Sequence, residues 1–232
     1  MFFDPLYFVF MIPAFILMGI TSWYVRHAYN KWSKIRAGSN LTGYQTAQRL
    51  LSTGSLYGVQ IQGTPGEMTD QYDPRNKTLF LSNGVANSPS VASVAIAAQE
   101  LGHALQDAEE YFPRKFRSAL VPMVNIGSNL GWILILAGLF LGWTNLAWLG
   151  VVFFAGGAVF ALATLPVEFN ASARAKAMLA ESGIIASEEE QRGVNNVLNA
   201  AALTYVAGLI TAVMQLLYYV MLVSGMGGRR RD

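Results

Sequence analysis

Cysteine is absent from this 232-residue chain, and histidine occurs only twice, as His27 and His103. Those absences exclude a disulfide framework, a thiolate metal site and any three-histidine site built from one chain. Charge is scarce as well, at 13% of residues against about 25% in soluble domains. The deficit is concentrated in three places. No charged side chain falls between Asp4 and Arg26, between Arg117 and Glu168, or between Arg192 and Arg229. No basic stripe interleaved with aromatic residues is present and the net charge is +2, so nucleic acid is not an expected partner. Internal repeats and low-complexity tracts are missing too.

The uncharged stretches are long and apolar. Crossing the hydrocarbon core takes about 20 apolar residues. The first stretch holds one span, over 6–24. The second holds two, over 120–143 and 146–165, with a turn at Thr144 and Asn145. The third holds one, over 198–223. Buried soluble helices are the alternative, but four of this length crowd so short a chain. The first span carries Asp4, no basic residue ahead of it and no small-residue cleavage site after it, so it reads as a retained anchor. Most of the sixteen Lys and Arg residues lie after span one or between spans three and four, which fall on one side of the bilayer. The positive-inside rule makes that side cytoplasmic and leaves Arg229, Arg230 and Arg231 outside, against the rule.

The expected organisation is a first span within 1–25, then a cytoplasmic segment over 26–117. A membrane hairpin over 118–166 follows, then a cytoplasmic helix over 167–196, and a last span with a loose tail over 197–232. Within the first cytoplasmic segment, 44–51 reads as a short helix closed by Gly54. Tyr57, Val59 and Ile61 alternate as a strand does, and 78–81 is β-prone. A hairpin or three-stranded sheet is expected there. Ser88 as N-cap and Pro89 as first residue then open a buried helix that runs to about Tyr111, ended by Pro113. In the spans, Gly156-Gly157 predicts close helix packing, and Asn125, Ser128, Asn129 and Gln215 predict interhelical hydrogen bonds rather than a transport path.

The polar residues of that buried helix carry the chemistry. Gln99-Glu100-Leu101-Gly102-His103 differs at one position from H-E-x-x-H. In that motif two histidines on one helix face bind zinc, and the glutamate polarises the attacking water. E-x-x-H alone is common, and for the motif by itself a buried, self-satisfied polar patch is the favoured explanation. A zinc site of the glutamate-ligand kind takes its third ligand from a later helix. Glu168, where span three meets the cytoplasm, stands in the right place and reads as the opening of a helix to about Ser182. Helix-dipole stabilisation of an acid in a first turn is the competing account. His27, beside Arg26 at the end of span one, reads as an interfacial side chain.

Four stretches together resemble the YugP-type membrane neutral zinc metallopeptidases. They are Ala97-Ala98-Gln99-Glu100-Leu101-Gly102-His103-Ala104-Leu105-Gln106-Asp107, Tyr29-Asn30-Lys31-Trp32-Ser33-Lys34, Leu165-Pro166-Val167-Glu168-Phe169-Asn170-Ala171-Ser172 and Ala201-Ala202-Leu203-Thr204-Tyr205-Val206-Ala207. The layout is also similar to the HtpX-type proteases. The resemblance implies an α-helical multi-pass membrane protein with four transmembrane helices and a small α+β, zincin-like cytoplasmic part. It implies Zn2+ as cofactor, His103 and Glu168 as ligands, Glu100 as general base, and Gln99 in the place of a histidine ligand. A carboxamide oxygen is a weak zinc donor beside imidazole, so inactivation is expected. Gln99 is either an introduced substitution or a natural one; the intact surroundings favour a working scaffold altered at one point.

By analogy with other zinc peptidases, an extended peptide substrate is expected to pair with a sheet edge at Leu79, Phe80 and Leu81. The expected partners are therefore protein or peptide substrates and the lipid bilayer of the cell membrane, with the site facing the cytoplasm. A non-catalytic membrane adaptor that binds peptides in the same groove is the second reading.

Overall fold

A computed structural model describes residues 4–53 and 56–228. The element order is α1 (Pro5–Trp32), α2 (Gly43–Thr53), β1 (Gln60–Thr64), β2 (Gln71–Asp73), β3 (Thr78–Ser82), α3 (Asn83–Asn87), α4 (Val91–Ala108), α5 (Phe112–Leu141), α6 (Thr144–Glu181) and α7 (Glu188–Gly228). The chain divides into two compact units. One comprises 1–21, 115–165 and 204–232; the other comprises 22–114 and 166–203. Helices α1, α5, α6 and α7 contribute to both.

The first unit holds the apolar lengths. Four helices, Pro5–Trp32, Phe112–Leu141, Thr144–Glu181 and Glu188–Gly225, are long and apolar enough to cross a membrane. Each begins before the span read from its uncharged stretch because polar residues continue the same helix, while α5 stops at Leu141, two residues short of the expected end at Trp143. The turn between α5 and α6 falls at Gly142 and Trp143, two residues before the expected Thr144-Asn145, with Gly142 at φ +64°. Close packing is not at Gly156, where an added Cβ would meet nothing within 4 Å. It is at Gly138, where a Cβ would lie 2.5 Å from the Ala147 amide nitrogen. Asn129 donates to the Asn125 carbonyl of its own helix rather than across helices. The core is Ile135, Ala147, Val151, Tyr218, Tyr219 and Val223, and Tyr218 donates to Asp4. The tail was expected to be loose from Gly225; α7 continues to Gly228. Arg229 to Arg231, and Gly54 as the end of α2, lie outside the described residues.

The second unit is a small α+β body. Its sheet has the order β1-β3-β2, with β1 parallel and β2 antiparallel to β3. The first strand sits slightly later than the Tyr57 to Ile61 alternation suggested. β2 is only three residues long and lies between the two stretches expected to be strands. At the substrate strand expected over Leu79, Phe80 and Leu81, β3 is not an edge but the central strand: Thr78 to Phe80 pair with both β1 and β2, Leu81 pairs with β1, and Leu79 and Leu81 are fully buried. Their apolar character marks core, not a binding edge. Even past the end of β2, the Ser82 N–H and hydroxyl donate to Asp70.

Helix α4 lies behind this sheet with Val91, Val94, Ala98 and Leu101 in the core. Its N-cap is Ser90, not Ser88: the Ser90 hydroxyl accepts from the Ser93 N–H. Pro89 instead supplies a carbonyl to the Ala37 N–H. At the other end α4 stops at Ala108, where the Glu109 and Glu110 amides turn back on the last carbonyls and Glu110 adopts φ +54°. Pro113 therefore does not end α4. It sits in the first turn of α5, where a missing N–H costs nothing. Glu168 does not open a helix either. α6 runs unbroken from Thr144 through Pro166, so Glu168 is interior to it and the helix-dipole account fails.

Candidate metal centre

Glu100 and His103 project from α4, and Glu168 from α6. Gly102 allows the two helices to meet. A Cβ there would lie 2.5 Å from the Ala171 carbonyl oxygen and 3.2 Å from its Cα, so any larger residue would force the helices apart. The contact brings His103 Nε2 to 3.5 Å from Glu168 Oε2. Both side chains are nearly buried, and a buried carboxylate needs a cationic or hydrogen-bonding partner. That partner explains an acid which the chain places just past an apolar run.

The remaining contacts orient these groups. Tyr72 of β2 donates its N–H to Glu100 Oε2 (3.0 Å) and its hydroxyl to Asp107 Oδ2 (3.1 Å). Gln106, fully buried, faces His103 Nδ1 through Oε1 (3.1 Å). Its Nε2 donates to the Val167 carbonyl (2.7 Å) and to Asn170 Oδ1 (3.0 Å). Arg174 donates to Asn170 and pairs with Glu109 at 2.7 Å. Burial pushes the Glu100 carboxyl up to about 7, helped by the charges of Glu168 and Asp70 and opposed by His103 and the Tyr72 N–H. Burial works against the charged His103 ring, but hydrogen bonding to Glu168, the two carboxylates and Gln106 outweigh it and raise the pKa.

Gln99 lies one turn before His103 on the same helix, and its Oε1 is buried without a hydrogen-bond partner among the described residues. The Ser172 hydroxyl, one turn beyond Glu168, is in the same condition. His27 is exposed and stacks on Trp23, with ring centroids 5.2 Å apart.

These residues can be tested against the zinc that the motif implies. Two donors bound to tetrahedral zinc sit about 3.4 Å apart, given bonds of about 2.0–2.2 Å. The 3.5 Å between His103 and Glu168 matches that separation. Gln99, one turn earlier on α4, offers only an orphaned carboxamide oxygen, which is neutral and a weak zinc donor by its chemistry. Among the described residues no cluster of three His, Cys, Asp or Glu side chains could hold a metal. The separation of His103 and Glu168 thus suits two ligands of one divalent cation. The sequence brings Glu100, His103 and Glu168 into view, but not Gln106, Asn170 or Tyr72. For Gln106 a signal existed: an amide on the apolar part of a buried helix, three residues past the histidine.

A family model described as "Putative neutral zinc metallopeptidase" matches residues 7–224. The chain is 41% identical over 218 residues to the "Putative membrane protease YugP" of Bacillus subtilis (strain 168), covering 93% of this chain and 96% of that protein. No solved structure matches. The matched region takes in α4 and α6 with their facing histidine and glutamate, and the chain belongs to the neutral zinc metallopeptidase family.

Proposed function

We propose that this chain is a membrane metallopeptidase scaffold that binds zinc weakly and turns over little or no peptide because Gln99 stands where a histidine ligand belongs. The observation that carries this reading is the His103–Glu168 pair, set at a zinc-ligand separation with an unpartnered Gln99 oxygen one turn away. His103 and Glu168 would hold the metal. When bound, zinc supplies Lewis acidity toward a peptide carbonyl and acidifies nearby water.

Glu100 is the group that takes the proton of the attacking water and returns it to the departing amine. Its carboxyl, pushed up to about 7, suits both transfers near neutral pH. The Tyr72 N–H holds one of its oxygens in place. A peptide substrate would pair with the edge strand β2, which lies against α4, rather than with β3. The proposed organisation keeps 26–117 and 167–196 on the cytoplasmic side, where the basic residues concentrate.

Zinc per chain, measured on this protein and on Gln99→His purified side by side without chelator, tests the reading. Gln99→His is expected to hold about one zinc and this chain much less, with peptide cleavage appearing only in the variant. Absence of metal from both overturns the zinc assignment and favours a peptide-binding adaptor.

A further inference from the structure

We propose that Gln106 is a positioning residue for the candidate centre: its amide dictates which ring nitrogen of His103 carries the proton and so turns a bare Nε2 toward Glu168. The purpose of this arrangement rests on the metallopeptidase reading; the arrangement itself rests on hydrogen-bond chemistry alone.

The assignment follows by elimination. A backbone carbonyl only accepts, so the Gln106 atom 2.7 Å from the Val167 oxygen is the amide nitrogen. The second amide hydrogen goes to Asn170 Oδ1. That oxygen is itself identified by Arg174, whose guanidinium only donates. Both Gln106 hydrogens are thereby used, and Oε1 faces His103 Nδ1 at 3.1 Å. A carbonyl oxygen cannot donate, so Nδ1 carries the proton. In the neutral ring Nε2 is then bare and faces Glu168 Oε2 at 3.5 Å. Beside a carboxylate an unrestrained imidazole would place its proton on Nε2 and hydrogen-bond the acid. Gln106 prevents this in the neutral ring, leaving two electron-rich groups that a second ring proton or a shared metal cation reconciles. The device is anchored on both helices. Gln106 belongs to α4, Val167 and Asn170 to α6, and Arg174 is tethered by Glu109 and by the Tyr111 ring. Gln106 thus orients the histidine ligand and grips the residue before the glutamate ligand.

The test uses the full chain in detergent micelles, labelled with 15N-histidine and free of metal, at alkaline pH where the ring is neutral. With only two histidines the spectrum is simple, and His27→Gln assigns it. His103 is expected to be protonated at Nδ1. Gln106→Leu is expected to move the proton to Nε2, and Gln106→Glu, which keeps an acceptor at that point, to hold it on Nδ1. In a Gln99→His background, Gln106→Leu is expected to weaken zinc binding by about 10–100-fold, and Gln106→Glu by less. A proton on Nε2 in the unaltered chain overturns the proposal whether or not the variants fold. An unchanged ring in Gln106→Leu, or unchanged zinc affinity, overturns it as well. If Gln99→His takes up no zinc at all, the metallopeptidase reading fails while the ring spectrum still decides the role of Gln106.

Discussion

Tyr72 ties the sheet to the metal helix twice, through its N–H to Glu100 and its hydroxyl to Asp107. Burial, then the charge and hydrogen bond of Asp107, push its phenol up to about 12. The protonated form is therefore favoured in the folded chain. Its contribution is fully present below the ordinary tyrosine value of about 10 and is lost as pH rises toward 12. Tyr72→Phe should lower stability by about 1 kcal/mol at neutral pH. The gap between the two proteins should close above pH 11, as read from melting curves across that range. A gap that widens with alkalinity would contradict this account. At this scale the sequence showed what spacing alone can encode: Glu100 and His103 on one helix, with Gln99 out of place. It offered Gln106 only as an amide on a buried helix and not its role, because its partners, Val167 and Asn170, come from a helix far along the chain. Nor could it show that Tyr72 reaches Glu100, since the three-residue β2 leaves no periodic signal.

The meeting of α4 and α6 turns two scattered residues into a site. Gly102 is where those helices touch, with no room for a methyl group. Gly102→Ala should destabilise the protein by about 1–3 kcal/mol, as overpacking does. It should also lower the zinc content of the Gln99→His protein by parting His103 from Glu168. Full zinc content with unchanged stability would mean the helices yield elsewhere. Both elements were legible as helices, but their ends were not. α4 begins at the Ser90 cap rather than Ser88, and α6 passes straight through Pro166, so a proline that reads as a boundary is interior. β3 was misread for a related reason. Leu79 and Leu81 carry the apolar pattern of a strand, but that pattern does not distinguish an edge from a centre. Pairing with both β1 and β2 decides it.

For the molecule as a whole, charge distribution was the most informative signal. The uncharged stretches became four helices fit to span a membrane. The side on which the α+β body lies is testable because the chain has no cysteine of its own. Tyr57, 87% exposed, and Asn145, exposed at the start of α6, are suitable sites for single cysteines. A membrane-impermeant maleimide applied to intact cells should label Asn145→Cys, and label Tyr57→Cys only after permeabilisation. The reverse pattern would invert the proposed orientation. At the candidate centre His103 and Glu168 already face each other, while the Gln99 oxygen has no hydrogen-bond partner among the described residues. Glutamine and histidine codons differ only in the third base. On the proposed reading, the histidine ligand is therefore a single nucleotide away from position 99, and regaining it would ask nothing of the rest of the fold.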